Sequence, residues 1–374
     1  MSRDPSHILF GVTSAGNVGF LEEQLQELRR RGWTCTVIAS PDVGALQAPW
    51  RALRALVSAN RPAITNMTAP GSGLFLGLAA AATRVPMRIY TVHGLRPLNL
   101  SERLSMAAAH VVVCVSPALR DRVLATGLTR SDKVTVIGTP IGQNGQSRAS
   151  GQTWHEFYLD ALYRQARGRH TPALRALDVL AAVAGGAVVA VPAAVVALVV
   201  RARLGSPVLF RQVRPGRDGV PFTLLKFRSM TDGTDALGQP LSDAERLTPL
   251  GELLRRTSLD ELPSLWNILK GDMSLVGPRP LLTRYTPFFT DRERLRLAVR
   301  PGLTGWAQIN GRNTSSWDER LGNDVWWVVN RSLPLYLRIL CGTLLRVVNG
   351  TDVVTDTATT MQDLDDERCG ALQA

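Results

Sequence analysis

The sequence predicts an α/β protein in three parts: a doubly wound, Rossmann-like N-terminal domain, a membrane-embedded re-entrant helix, and a small, mostly helical α+β domain. Three observations carry this reading. Apolar runs of strand length alternate with helix-period segments up to Gly142, as a parallel sheet with crossover helices requires. The stretch from Val179 to Val200 holds no charged residue and is long enough to enter a bilayer. Beyond it, acidic, basic and turn-forming residues crowd between Ser258 and Pro280.

Composition sets the frame. With 374 residues, 45% of them hydrophobic, the chain has material for two domains or more. The four cysteines, Cys35, Cys114, Cys341 and Cys369, follow no metal-ligand spacing or pairing pattern, which argues for a reducing compartment. Forty-three basic residues against 31 acidic give a net charge of +12, a balance suited to anionic lipid or phosphorylated small molecules. No aromatic-interleaved basic motif points to nucleic acid. Met1 to Pro5 lacks a charged-then-apolar leader, so the N-terminal region is expected to stay in the cytosol.

Residues 7–12 read as a buried strand, Thr13 to Gly19 as a small-residue turn, and the Leu21, Leu25, Leu28 spacing as an amphipathic helix ending at Gly32. Strands are expected at 35–39, 63–65, 87–92 and 110–115, with helices at Trp50 to Ala59 and Leu74 to Ala82. Gly16 to Gly19 lacks the full dinucleotide fingerprint and reads first as a tight strand-to-helix turn. Residues 143–170, rich in Gln, Ser, Gly and Arg, read as a connection holding a short helix at Trp154 to Tyr163.

Arginines flank the apolar stretch on both sides: Arg164, Arg167, Arg169 and Arg175 before it, Arg201, Arg203, Arg211 and Arg214 after it. The positive-inside tendency places both flanks on one side of the membrane, which a single straight span cannot do. Pro192, with Gly185 and Gly186, supplies a point for the chain to turn back, and a single transmembrane span is the alternative reading. Next, Phe210 to Gly216 and Pro221 to Met230 read as a hairpin around Arg217-Asp-Gly219, carrying Arg211, Lys226 and Arg228 as an anionic wall or as solvated charges. Thr248-Pro249 opens a short helix ending at Arg255-Arg256.

Ser258 and Glu261 have capping-box spacing, and Leu262, Leu265, Trp266 and Leu269 recur at helical intervals until Lys270-Gly271; Pro263 fits the first turn better with a cap as late as Leu259 or Asp260, so the exact start stays open. Asp260 and Glu261 then fall at the positive end of a helix, where ionised carboxylates are favoured. The same pair could serve only to stabilise a first turn. Gly277-Pro-Arg-Pro280 is a stiff turn presenting Arg279, whose planar fork suits a phosphate. Lys270 and Asp272 read equally as an ordinary helix terminus. Downstream, Asp291 to Val299 reads as a charged helix, and Trp306, Gln308, Asn310 and Arg312 have the groups to stack on and hydrogen-bond a base or sugar, or to form a structural loop. Trp326-Trp327 and the basic, apolar run Leu335 to Val348 suit the headgroup region or a core-packed helix. Thr351 to Ala374, acidic and polar, reads as a disordered tail.

Thr257 to Pro263, Asn267 to Ser274, Val276 to Pro280, Phe210 to Gly216, Phe222 to Met230 and Arg300 to Arg312 together resemble the bacterial sugar transferase family, the monotopic polyprenyl-phosphate phosphoglycosyl transferases. The resemblance covers roughly residues 171–350. Patterning and composition give an N-terminal domain at 1–142, a linker at 143–170 and a tail at 351–374; the resemblance implies a re-entrant helix at 171–204 and a catalytic domain at 205–350. It also implies transfer of a phospho-sugar from a nucleoside diphosphate sugar, most simply a UDP-sugar, to polyprenyl (undecaprenyl) phosphate at the cytoplasmic face of the membrane, releasing UMP.

In that reading Asp260 is the nucleophile, Glu261 a metal ligand or orienting group, and Arg279 a phosphate clamp, with Lys226, Arg228, Arg211, Gln308 and Arg312 binding substrate. Mg²⁺, held by Asp260 and Glu261, answers the repulsion between a carboxylate and a diphosphate. Val191 stands where family members carry Ser before the proline, and Trp326-Trp327 where they carry tyrosines. Thr91 to Gly94, Val113 to Arg120 and Lys133 to Gly138 look like the N-terminal half of a two-domain retaining glycosyltransferase, with His93 in a cleft or in a structural loop. The expected second half is absent, so two rivals stand beside the transferase: a membrane scaffold for a partner glycosyltransferase, and a domain that adds the next sugar.

Overall fold

The computed structural model describes residues 5–13, 18–40, 62–68, 72–92, 100–137, 153–168, 172–235, 237–239, 241–310, 316–349 and 363–373. The chain divides into two units, Met1–Gln165 and Ala166–Ala374.

The first unit is built on a parallel sheet. Strands β1 (His7–Thr13), β2 (Thr34–Ser40), β3 (Ile64–Met67), β4 (Met87–Val92), β5 (Val111–Cys114) and β6 (Val134–Val136) run in the order β2-β1-β3-β4-β5-β6. Ile8 pairs with Cys35 on one side and Ile64 on the other. Such central strands are covered on both faces, which is why Ile8, Leu9 and Phe10 are consecutive apolar residues with no exposed surface. Helices α1 (Val18–Arg30), α2 (Ser72–Ala82), α3 (Leu100–Ala108) and α4 (Pro117–Ala125) connect them. The Ser116 hydroxyl accepts from the Leu119 amide, and Pro117 occupies the first turn, so α4 starts where its sequence dictates. The expected doubly wound order is present. Residues 14–17 of the glycine turn, the helix expected at Trp50 to Ala59, and His93 lie outside the described residues.

Helix α5 (Trp154–Gly168) is longer than the short helix expected in the connection, and its first half packs within the first unit. Tyr158 is fully buried, and its hydroxyl accepts from Gln24 (3.0 Å) on α1 and Asn66 (2.7 Å) on β3. Asn66 in turn accepts from Thr91 on β4. Buried polar atoms need such partners, and these tie a helix and two strands to one side chain.

The second unit begins with α6 (Pro172–Leu204), a helix of 33 residues. It is long and apolar enough to cross a membrane, and its most apolar window is 11% buried. Pro192 removes one hydrogen-bond donor from its ladder without ending the helix. The hairpin follows as expected: β7 (Leu209–Pro215) pairs antiparallel with β8 (Pro221–Phe227), and Asp218 and Gly219 take the left-handed conformations the turn needs. Helix α7 (Asp243–Arg246) leads to α8 (Pro249–Arg256), capped by Thr248 as predicted.

Next come α9 (Ser264–Lys270) and a pair of short parallel strands, β9 (Ser274–Val276) and β10 (Gly302–Thr304). Helices α10 (Trp306–Asn310), α11 (Trp317–Asn330), α12 (Leu333–Asn349) and α13 (Leu364–Gln373) follow in the same unit.

Two expectations are corrected here. The charged helix expected at Asp291 to Val299 is a 3₁₀ segment, Glu293–Ala298, whose Glu293 and Arg296 are buried. The tail read as disordered from Thr351 onward is helical over 364–373, with Leu364 fully buried among Tyr285, Phe289, Trp317 and Leu321. One apolar anchor outweighs the acidic composition around it.

Candidate active site

The segment Leu259–Glu261 is a single 3₁₀ turn, entered through Ser258 in the left-handed conformation at φ 56°. The cap of the following helix is Pro263, and Ser258 makes no side-chain cap bond. The capping-box expectation is therefore corrected: the carboxylates precede α9 and do not belong to its first turn. Gly271, at φ 95°, ends α9 as predicted.

Helix α9 is docked by polar bonds. Asn267, 1% exposed, donates to the Thr223 carbonyl (2.7 Å) and accepts from the Leu225 amide (3.1 Å). Ser264 donates to the Leu225 carbonyl at 2.7 Å. These bonds fix α9 on β8, and the next residue of that strand is Lys226. Its Nζ lies 2.7 Å from Glu261 Oε1 and 3.5 Å from Asp260 Oδ2.

From the other side Arg279 Nη2 reaches Glu261 Oε1 at 2.9 Å. The turn that carries it is held by close backbone packing. A Cβ on Gly277 would sit 2.5 Å from the Arg300 carbonyl oxygen and 2.8 Å from the Gly302 amide, so glycine is required there for space, not as a hinge. Arg296 donates to the Arg279 carbonyl at 2.6 Å and pairs with Asp324 at 2.9 and 3.1 Å, in a bridge whose side chains are 2% and 7% exposed.

The two carboxylates are shifted in opposite directions. Burial raises the pKa of Asp260, with Lys226 pulling it back and Glu261 adding to the rise. This reverses the expectation that a helix dipole keeps Asp260 readily ionised. Burial also opposes charge on Glu261, but the cations of Arg279 and Lys226 outweigh it and hold that carboxyl down to about 2. A buried, desolvated carboxylate is a more basic nucleophile than a hydrated one, and Glu261 beside it stays charged.

Asp260, Glu261, Lys226 and Arg279 open onto a cavity of about 1630 Å³ in the second unit. Of the other residues predicted for the site, Arg211 and Gln308 line this cavity. Arg211 has no ion pair among the described residues, and Gln308 Oε1 is buried without a partner. Arg228 also lines it, but its guanidinium is committed to Asp232 and to the carbonyls of Met230 and Leu204. Arg312 lies outside the described residues. Trp306 stacks on Trp326 with ring centres 4.4 Å apart, so that face is already occupied. Lys270 pairs with Asp272 at the end of α9.

The sequence reading missed Arg214. It lines the cavity and donates to the Pro280 carbonyl and to Gln212, with no carboxylate partner among the described residues. Burial and the nearby charge of Arg279 lower its pKa to about 10. Arg214 and Arg279 are neighbouring guanidiniums, and among the described residues the one carboxylate paired with either is Glu261, on Arg279, an arrangement suited to an added anion. The visible clue was Gln212-Val-Arg-Pro215, whose arginine alternates with exposed Val213 along β7.

Known families match both parts of the chain. The family model described as bacterial sugar transferase matches residues 169–350, and that for Glycosyltransferase Family 4 matches residues 40–142. The chain is 57% identical over 150 residues to the sugar transferase EpsL of Bacillus subtilis, covering 40% of this chain and 74% of that one. It is 39% identical over 181 residues to the UDP-glucose:undecaprenyl-phosphate glucose-1-phosphate transferase of Caulobacter vibrioides, covering 46% and 67%. It is also 39% identical over 148 residues to the undecaprenyl-phosphate galactose phosphotransferase of Salmonella typhimurium, covering 35% and 31%. The buried Asp260–Glu261 pair and the Arg279 turn fall inside the matched segment, and the chain belongs to the bacterial sugar transferase family.

Proposed function

We propose that this chain transfers a sugar 1-phosphate from a UDP-sugar to a polyprenyl phosphate, in the first membrane step of polysaccharide or glycoconjugate assembly. The observation that carries the reading is the placement of Asp260. It is 6% exposed, borders a large cavity, and is flanked by Lys226, Glu261 and Arg279.

A carboxylate oxygen of Asp260 attacks the phosphorus bearing the sugar. The bond from that phosphorus to the bridging oxygen breaks, and UMP leaves with the electron pair. The sugar phosphate is then held on Asp260 as an acyl phosphate until an oxygen of polyprenyl phosphate attacks the same phosphorus and frees the carboxylate. Arg279 and Arg214 bind diphosphate oxygens through planar forks. Arg211, at the cavity wall with no ion pair among the described residues, offers charge to a second phosphate, and Gln308 offers an unsatisfied acceptor to a donor on base or sugar.

The residues fit a divalent cation. Asp260 and Glu261 turn an oxygen each toward one cationic atom, Lys226 Nζ, and Mg²⁺ binds through one or two carboxylates together with substrate phosphates. Mg²⁺ held by these two residues would neutralise diphosphate charge as the carboxylate approaches. Chelation is expected to stop transfer and added Mg²⁺ to restore it, with membrane association unchanged throughout.

The anchor is read as re-entrant, holding the protein monotopically on the cytoplasmic face. Both arms of α6 pack on the same short stretch of the catalytic unit. Arg175 donates to the Leu269 carbonyl at one end of α9, while Val196 and Val200 share an apolar cluster with Leu259 and Leu262 just before its other end. A straight helix would hold Arg175 and Val196 about 30 Å apart at 1.5 Å per residue, whereas α9 is seven residues long. Labelling from one side of sealed vesicles should reach Arg164→Cys and Arg203→Cys alike; labelling of one alone would refute the re-entrant path.

The first unit is read as a docking or donor-related domain inherited from a glycosyltransferase, and downstream glycosyltransferases are its candidate partners. The deciding assay is UMP release from a panel of UDP-sugars with polyprenyl phosphate and Mg²⁺, beside Asp260→Asn. Release by the native protein alone supports the covalent route. A folded, membrane-bound protein that releases none with any sugar is a scaffold.

A further inference from the structure

We infer that the C-terminal helix α13 is a positioning element for the active site, and that Arg368 acts on Arg279 through Glu293. The guanidinium of Arg368 grips both oxygens of Glu293, at 2.7 and 2.8 Å, and also reaches Asp318 Oδ1 at 2.9 Å. Glu293 and Arg296 share the 3₁₀ segment Glu293–Ala298, and Asp318 and Asp324 share α11. Two ion-pair bridges therefore join the same segment to the same helix. The outer one passes through Arg368. The inner one is Arg296–Asp324, and its Arg296 also holds the Arg279 carbonyl.

The outer bridge is anchored independently. Leu364 is fully buried against Tyr285, Phe289, Trp317 and Leu321, and Asp363 accepts from Tyr285 and Arg284. Trp317 and Leu321 also line the cavity. The Arg368 side chain is 17% exposed, and its partners are 75 and 50 residues away in sequence, so the contact is a tertiary clasp and not local solvation. A guanidinium fork paired bidentately with a carboxylate fixes orientation as well as distance. Without it, the segment carrying Arg296 loses one of these two ion-pair bridges to α11, and the Arg279 turn loses a restraint on its backbone.

The rate readout rests on the transferase reading, whereas the exchange readout below does not. The test is a double-mutant cycle between Arg368→Ala and Arg279→Gln in the full-length, detergent-solubilised protein, following UMP release in a single turnover. Arg368→Ala alone is expected to slow release about tenfold, and in the Arg279→Gln background to change it less than twofold, because residues acting through one another are not additive. If the two losses multiply, Arg368 supports the fold generally and the inference is overturned. Should Arg368→Ala fail to fold, Arg368→Lys, which keeps one ion pair, runs the same cycle.

Hydrogen exchange of the peptide spanning 276–282 is measured on the same proteins. Faster exchange there in the Arg368 variant supports the link even if the native protein releases no UMP. Unchanged exchange overturns it.

Discussion

Replacing Asn267 by Leu tests whether polar docking of α9 on β8 builds the site. The side chain is 1% exposed, so water cannot replace its bonds. The substitution leaves the Leu225 amide and the Thr223 carbonyl without their partner and removes a bond to Asp272 at 3.2 Å. Each buried group left unsatisfied costs about 1–3 kcal/mol. Apolar contact made by the new side chain offsets part of this, so a net loss of about 2–4 kcal/mol is expected. For a unit spanning Ala166–Ala374, that is a fall in melting temperature of roughly 4–16 °C. Heat denaturation of the solubilised protein measures the fall, and UMP release at a temperature where the variant remains folded measures the site. Transfer should fall as well, since Lys226 follows Leu225 directly on the strand that Asn267 holds. A variant losing under about 0.5 kcal/mol, with native transfer, would mean that apolar packing alone places α9.

The remaining predictions concern the charges and the turn. Asp260→Asn should raise the melting temperature at pH 7 while abolishing transfer. The folded-state pKa of Asp260 lies above its ordinary 3.8, so burying its charge costs stability above that pH, and the gain should vanish below it, where the acid is protonated in both states. Glu261 has the opposite sign: its folded pKa of about 2 lies below the ordinary 4.5, so its stabilisation is complete above pH 4.5 and is lost as pH falls toward 2. Glu261→Gln should therefore flatten the acid limb of a stability–pH curve, and an unchanged limb would count against the pairing. Lys226→Met removes a charged bond of about 1.5–3 kcal/mol and should slow transfer about 10- to 100-fold, with α6 still membrane-bound in a flotation assay. Gly277→Ala forces a Cβ against two backbone atoms, at 2.5 and 2.8 Å, and should cost about 1–3 kcal/mol as over-packing does. Its transfer rate should fall further than its stability, because Arg279 is two residues on.

What could be read from the sequence divides by range. Strands β1 to β5 were legible because a parallel sheet imposes runs of apolar residues, whereas β6, three residues long, was not predicted as a strand. Asp260, Glu261 and Arg279 were legible as a local pattern, but their partners were not. Lys226 meets Glu261 across 35 residues, and it does so because Asn267 and Ser264 bond to β8, a docking that no periodicity encodes. Arg211, Lys226 and Arg228 looked equivalent in sequence, yet one faces the cavity with no ion pair among the described residues, one bridges the carboxylates and one binds Asp232 and carbonyls around the end of α6.

The same limit explains the C-terminal misreading. Composition predicts disorder when too little apolar surface is available to offset ordering, but it averages over a segment, whereas docking depends on single side chains. Leu364 reaches an aromatic cluster already assembled by other elements, and Arg368 reaches a carboxylate already buried at Glu293. The cost of ordering those residues is offset by partners that belong to the rest of the unit. A polar, acidic segment at the edge of a buried acid–base network is for that reason a poor candidate for disorder, and here its docking brings it within two side chains of the Arg279 turn.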